Sequence, residues 1–150
     1  MKKVTKRLVA MLLMTSMMLL QGCALTEPET SHLVKVRDDG KALVAELKAS
    51  TDDGYEWQYV LDGSTYSEAS VDYKNNIFSN TYETDYEFIS AGLGTGTLYL
   101  ILVKNGDYDS AKVFSYMLSA TNDNIITIDK EGSYLLASDI KLYNRVTKDK

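Results

Sequence analysis

STDDGYEWQYVLDG, residues Ser50–Gly63, carries the pattern that decides the fold. From Tyr55 onward it alternates, with Tyr55, Trp57, Tyr59 and Leu61 on one side of an extended chain and Glu56 and Gln58 on the other. A period of two is the mark of a β-strand with one buried face. Asp53-Gly54 and Asp62-Gly63 bound the run, and Asp-Gly favours turns because both central positions of a tight hairpin need left-handed backbone. Asp52 to Tyr55 therefore reads either as a tight turn between two paired strands or as a loop tip that meets another protein. Trp57, the only Trp, falls on an early central strand, where its indole is expected in the core.

The same pattern extends outward in both directions. Leu33 to Val36 precedes Asp39-Gly40, and Ala42 to Lys48 puts Leu43, Ala45 and Leu47 on one face. Ala69 to Tyr73 reads as an edge strand, with loop chemistry in Lys74-Asn75-Asn76, and Asp85 to Ser90 reads as a further strand. Thr97 to Val103 is apolar on both faces, as in a central strand covered on either side. Asn105-Gly106 is a hairpin signal, Ala111 to Leu118 follows, and Asn124 to Asp129 and Ser133 to Ser138 flank Lys130-Glu131-Gly132 as an extra C-terminal hairpin. Lys141 to Lys150 reads as a frayed, charged tail. Roughly eight or nine short strands and no convincing amphipathic helix predict an all-β fold, an immunoglobulin-like antiparallel β-sandwich. Residues 33–150 are expected to form a single domain.

The N-terminus speaks to location. Lys2, Lys3, Lys6 and Arg7 precede an apolar run from Leu8 to Leu20. That run is short of the ~20 residues a permanent span needs and suits a secretory signal over residues 1–22. Leu20-Gln21-Gly22-Cys23 resembles the bacterial lipobox, so Cys23 is expected to carry the lipid that anchors the chain to the cell membrane or outer membrane, facing away from the cytoplasm. Residues 23–32, with the only Pro at Pro28, read as a polar tether. Acylation of the sole Cys leaves no disulfide, so stability must come from the core.

Composition narrows the function. Loss of the four basic residues of the signal leaves 12 basic against 21 acidic residues, a balance of −9 that repels nucleic acid. The one His, His32, lies near the tether, so no His pair exists for zinc and none sits among the strands to activate a Ser nucleophile. No enzymatic activity and no cofactor are expected. Gly92-Leu93-Gly94-Thr95-Gly96 lacks the following helix that a phosphate loop requires and reads as a turn between strands. Asn105, Asp107 and Asp109 have calcium-loop spacing, but Ser110 stands where Gly is needed and Tyr116 where Glu is needed. Eleven Tyr suit a binding surface, and they equally suit strands.

Thr51-Asp52-Asp53-Gly54-Tyr55-Glu56-Trp57, after the alternating strand Leu43 to Leu47, resembles the first signature of chagasin-like inhibitors of papain-type cysteine proteases, Asn-Pro-Thr-Thr-Gly-Tyr-x-Trp. Phe88, Ala91, Gly96, Leu98 and Leu100 are similar to that family's strand, glycine turn and following strand. The resemblance covers roughly residues 33–118. It implies an immunoglobulin-like sandwich with three loops at one end, a cysteine protease as partner, Thr51, Asp52, Asp53, Gly54 and Tyr55 as the protease-binding loop, and Trp57 as its support. The family's second loop is Gly-x-Gly-Gly and its third contains Arg-Pro-Trp, whereas the corresponding stretches here are Ile77 to Thr81 and Lys104 to Asp109. Asp52-Asp53 replaces a Thr pair, and two carboxylates cost more to desolvate in a cleft than two hydroxyls. A non-inhibitory immunoglobulin-like lipoprotein that binds or assembles with other proteins is the alternative.

Overall fold

Antiparallel pairing turns the alternation into two sheets. The computed structural model describes residues 28–50, 52–76, 78 and 80–148. In chain order the strands are β1 (Val34–Val36), β2 (Ala42–Ser50), β3 (Tyr55–Asp62), β4 (Tyr66–Asn76), β5 (Thr81–Ser90), β6 (Gly94–Lys104), β7 (Asp107–Ala120) and β8 (Ile126–Leu135). A 3-10 turn over Leu136–Ser138 and a helix, α1 (Ile140–Thr147), follow. One sheet has the order β1-β2-β5-β4 and the other β3-β6-β7-β8. The first seven strands thus have the sheet partition of an immunoglobulin constant-type sandwich, with β8 added beyond the seventh.

The core lies where the two inner faces meet. Leu43, Leu47, Phe88, Leu98, Leu100 and Leu118 are fully buried there, each side chain contributing about 1.5–3 kcal/mol by leaving water. Trp57 is 7 % exposed, its indole N–H donates to the Lys48 carbonyl at 2.9 Å, and its ring lies 5.8 Å from that of Phe114. The indole is in the core as expected, but β3 is the edge of its sheet and not a central strand.

A second apolar cluster lies outside the sandwich proper. Val60, Ile101, Val103 and Val113 point away from the other sheet and are covered by Leu136 and Leu142, with Tyr143 and Val146 packed alongside. This explains why Thr97 to Val103 is apolar on both faces: one face meets the opposing sheet and the other meets the C-terminal segment.

That segment departs from expectation. The extra C-terminal hairpin is instead one uninterrupted strand, β8, paired with β7 from Lys112↔Leu135 to Ala120↔Ile126. Lys130, Glu131 and Gly132 lie opposite Met117, Tyr116 and Ser115. The long β7 offers a partner along the whole run, and the one irregularity is a bulge at Asp129, between Ile128 and Lys130. The frayed tail is helical over most of its length: the Asp139 carboxylate caps α1 by accepting from the Leu142 N–H at 3.1 Å, and Leu142 is buried. β4 is an edge strand as expected, but it runs on through Lys74-Asn75-Asn76. Asn105-Gly106 forms the hairpin turn between β6 and β7, with φ of 50° and 75°.

Candidate functional site

The connections β2–β3, β4–β5 and β6–β7 all fall at one end of the sandwich, because Ser50 pairs with Thr81, Asn76 pairs with Thr81, and Tyr55 pairs with Lys104. Asp52, Asp53 and Gly54 form the first connection. β2 and β3 belong to different sheets, so this is no hairpin between paired strands. The bend crosses from one layer to the other, and its rigidity must come from contacts outside its own strands.

Those contacts are specific. The Asn105 N–H donates to the Gly54 carbonyl at 2.7 Å. Gly54 has φ of +70°, and a Cβ there would overlap the Asn105 side-chain amide, so glycine is required for both conformation and space. Asn80, itself at φ 48°, donates from Nδ2 to the Asp52 carboxylate at 2.8 Å. The Tyr82 hydroxyl donates to the Tyr55 carbonyl at 3.0 Å, and burial raises its pKa. Lys104 Nζ stands 4.9 Å from the centre of the Tyr55 ring. Both of the other connections are therefore bonded to the first, and the end is pre-organised.

Tyr55 packs at the margin of the core and anchors the base of the bend, with its ring beneath Lys104 instead of at the tip. Asp52 is exposed and Asp53 half-buried. The most prominent apolar group at this end is Phe78, 96 % exposed, on the rim of a cleft of about 600 Å³ lined also by Lys48, Lys74, Asn76, Tyr82 and Glu83. Thr51 and Cys23 lie outside the described residues, as do residues 1–27 that hold the signal and part of the tether. Among the described residues, no helix is long and apolar enough to cross a membrane.

Sequence reading missed the braces Asn80, Asn105, Tyr82 and Lys104. Asn105 was legible as a turn residue, but nothing in the order of residues says that its side chain abuts Gly54. The calcium-like spacing has another use: Asp107 accepts from the Asp109 and Ser110 N–H groups and from the Ser110 hydroxyl at 2.5 Å, which lowers its pKa. Asp109 accepts from the Tyr143 hydroxyl at 2.8 Å. Among the described residues, no three His, Cys, Asp or Glu side chains gather as metal ligands would. Ala91, Gly92 and Leu93 join β5 to β6 at the opposite end, a strand connection as the sequence predicts, but Gly94, Thr95 and Gly96 already belong to β6 and not to the turn.

In comparisons with protein-family models, curated proteins and solved structures, no match to this chain is found.

Proposed function

We propose that the braced loop end is a protease-facing wedge, and that the chain acts as a membrane-tethered inhibitor resembling the chagasin-like inhibitors of papain-type cysteine proteases. The observation that carries this reading is the convergence of the three connections on the Asp52 to Gly54 bend, locked by Asn105 and Asn80. A bend fixed before docking loses little conformational entropy on entering a cleft, which is the physical source of affinity in a rigid inhibitor. Asp53 and the Gly54 backbone lead, Tyr55 and Trp57 hold the base, and Asn80 neutralises part of the Asp52 desolvation cost by hydrogen bonding to it. In this reading Cys23 carries the lipid anchor and places the wedge on the outer side of a membrane. Incorporation of labelled palmitate, abolished by Cys23→Ser, is the expected signature of that anchor.

The inhibitory reading is tested by titrating the chain against a panel of papain-type proteases. Saturable inhibition that weakens at least tenfold in Asp53→Arg and in Gly54→Ala is the expected result. Flat curves across the panel would favour the second reading, a non-inhibitory immunoglobulin-like surface lipoprotein that binds other proteins. The tightness of the β6–β7 turn favours that second reading: only Asn105 and Gly106 form it, and Asn105 faces Gly54, so the third loop projects little.

A further inference from the structure

The two sheets are offset. β3, the edge of its sheet, packs over β5 and β2, with Tyr59 stacked edge-on against Tyr86 and Phe88 and the Trp57 indole bonded to β2. β4 therefore overhangs. Of its eleven residues only Tyr66 is buried, and Tyr73, which is opposite the buried Thr84 and so on the inward side, is 70 % exposed. A strand beside β3 would cover that overhang, and among the described residues no strand stands there.

The edge of β3 is open in a particular way. The Tyr55 carbonyl points away from β6, since it accepts from Tyr82, and alternate residues of a strand share that direction. The Tyr82 phenol also bonds the Trp57 backbone, so it closes the upper end of the edge and leaves the Tyr59 and Leu61 backbone facing the vacancy. Natural edges are usually blunted by Pro, Lys or a bulge. β3 contains neither residue, and its pairing with β6 shows no shift of register. A cleft of about 580 Å³ runs along Gln58 to Leu61, bordered by Arg145 and Val146.

Charge selects the occupant. Glu56 lies on the outward side of β3 and Glu68 on the inward side of the overhang, and among the described residues neither is paired with a Lys or Arg; their partners are Gln58 and the Tyr59 hydroxyl. Lys74 on β4 is held by Asp85 at 2.5 Å and Glu83 at 3.7 Å, and Arg145, which borders the cleft, is paired with Asp62. A second copy of this acidic chain would bring like charges together at the edge. We propose that the β3 edge and the β4 overhang accept an extended cationic segment of another protein as an added antiparallel strand, with aliphatic side chains over Val71 and Tyr73 and basic ones toward Glu56. The backbone ladder supplies affinity and the alternate side chains supply specificity. This site is separate from the wedge and does not depend on its activity.

The full chain in detergent micelles is titrated with an eight-residue peptide alternating Lys and Val, and amide exchange is followed. Protection of the Tyr59 and Leu61 amides by at least tenfold, with the β8 edge unchanged, is expected. Tyr73→Lys, which removes only an exposed hydrogen bond to the Tyr86 hydroxyl, should weaken binding at least tenfold while shifting thermal unfolding little. Equal binding by a Glu-Val peptide or by a Pro-interrupted Lys-Val peptide would overturn the proposal. So would an unprotected β3 edge at peptide saturation, an unaffected Tyr73→Lys variant, or self-association of the chain that protects the same amides.

Discussion

The outer faces of the two sheets solve the same problem in opposite ways. On the β1-β2-β5-β4 sheet the outward side is a lattice of opposite charges: Lys35 with Glu46, Arg37 with Glu87, Lys48 with Glu83 at 3.2 Å, and Lys74 with Asp85. On the β3-β6-β7-β8 sheet the outward side carries an apolar patch, Val60, Ile101, Val103 and Val113, that lies beneath Leu136 and α1. The first face is stable in water as it stands, and the second is stable only while covered. Strand alternation therefore reports which faces are wet, and a strand apolar on both sides announces a cover whose identity must be found elsewhere.

The contrast breaks first at Leu142. Leu142→Asp places an unpaired carboxylate against Val60, Ile101 and Val113, and should release α1 with a loss of about 3 kcal/mol or more, read as a lower urea midpoint. The next effect is alkaline. Burial, aided by the Asp139 carboxylate, pushes the Tyr134 phenol up to about 12, and burial with Glu131 does the same for Tyr116. A folded-state pKa above the unfolded value of about 10 means that the folded chain holds its proton longer, so stability is complete below pH 10 and is lost as pH rises toward 12. Urea unfolding at pH 9 and pH 11.5 should show the decline, with little change between pH 7 and pH 9. Asp139→Ala, which removes the cap of α1 and the carboxylate that accepts from the Tyr134 hydroxyl at 3.3 Å, should cost about 1–2 kcal/mol. The smallest change belongs to the charged face: Lys35→Gln should leave the urea midpoint almost where it is, with less effect still in high salt. A loss at Lys35 as large as that at Leu142 would erase the distinction between the two faces.

Much of the scaffold was legible because its signals are local. The alternation of Tyr55 to Leu61, the Asn105-Gly106 turn and the burial of Trp57 need only neighbouring residues to be read. α1 was not legible because Ile140, Val146 and Thr147 carry weak helix propensity and its amphipathic pattern runs for only eight residues, barely two turns; its position is set by the apolar strands it covers. Gly132 misled in the other direction, since a glycine beside charged residues reads as a turn until a full-length partner strand is known. At the candidate site the bend could be found but its braces could not. Asn80 and Asn105 reach Asp52 and Gly54 across large stretches of chain, and only the folded topology brings them within bonding distance.

The cover on the second sheet also comes last in chain order, after all eight strands. A chain delivered from its N-terminus can pair β3, β6 and β7 while Ile101 and Val103 still face water, so an interval exists in which a nearly finished domain shows an adhesive surface to its neighbours. Crowding during synthesis, a stalled carboxy end, or a tag that hinders residues 140–147 would lengthen that interval, and the cell would register it as demand on its chaperones.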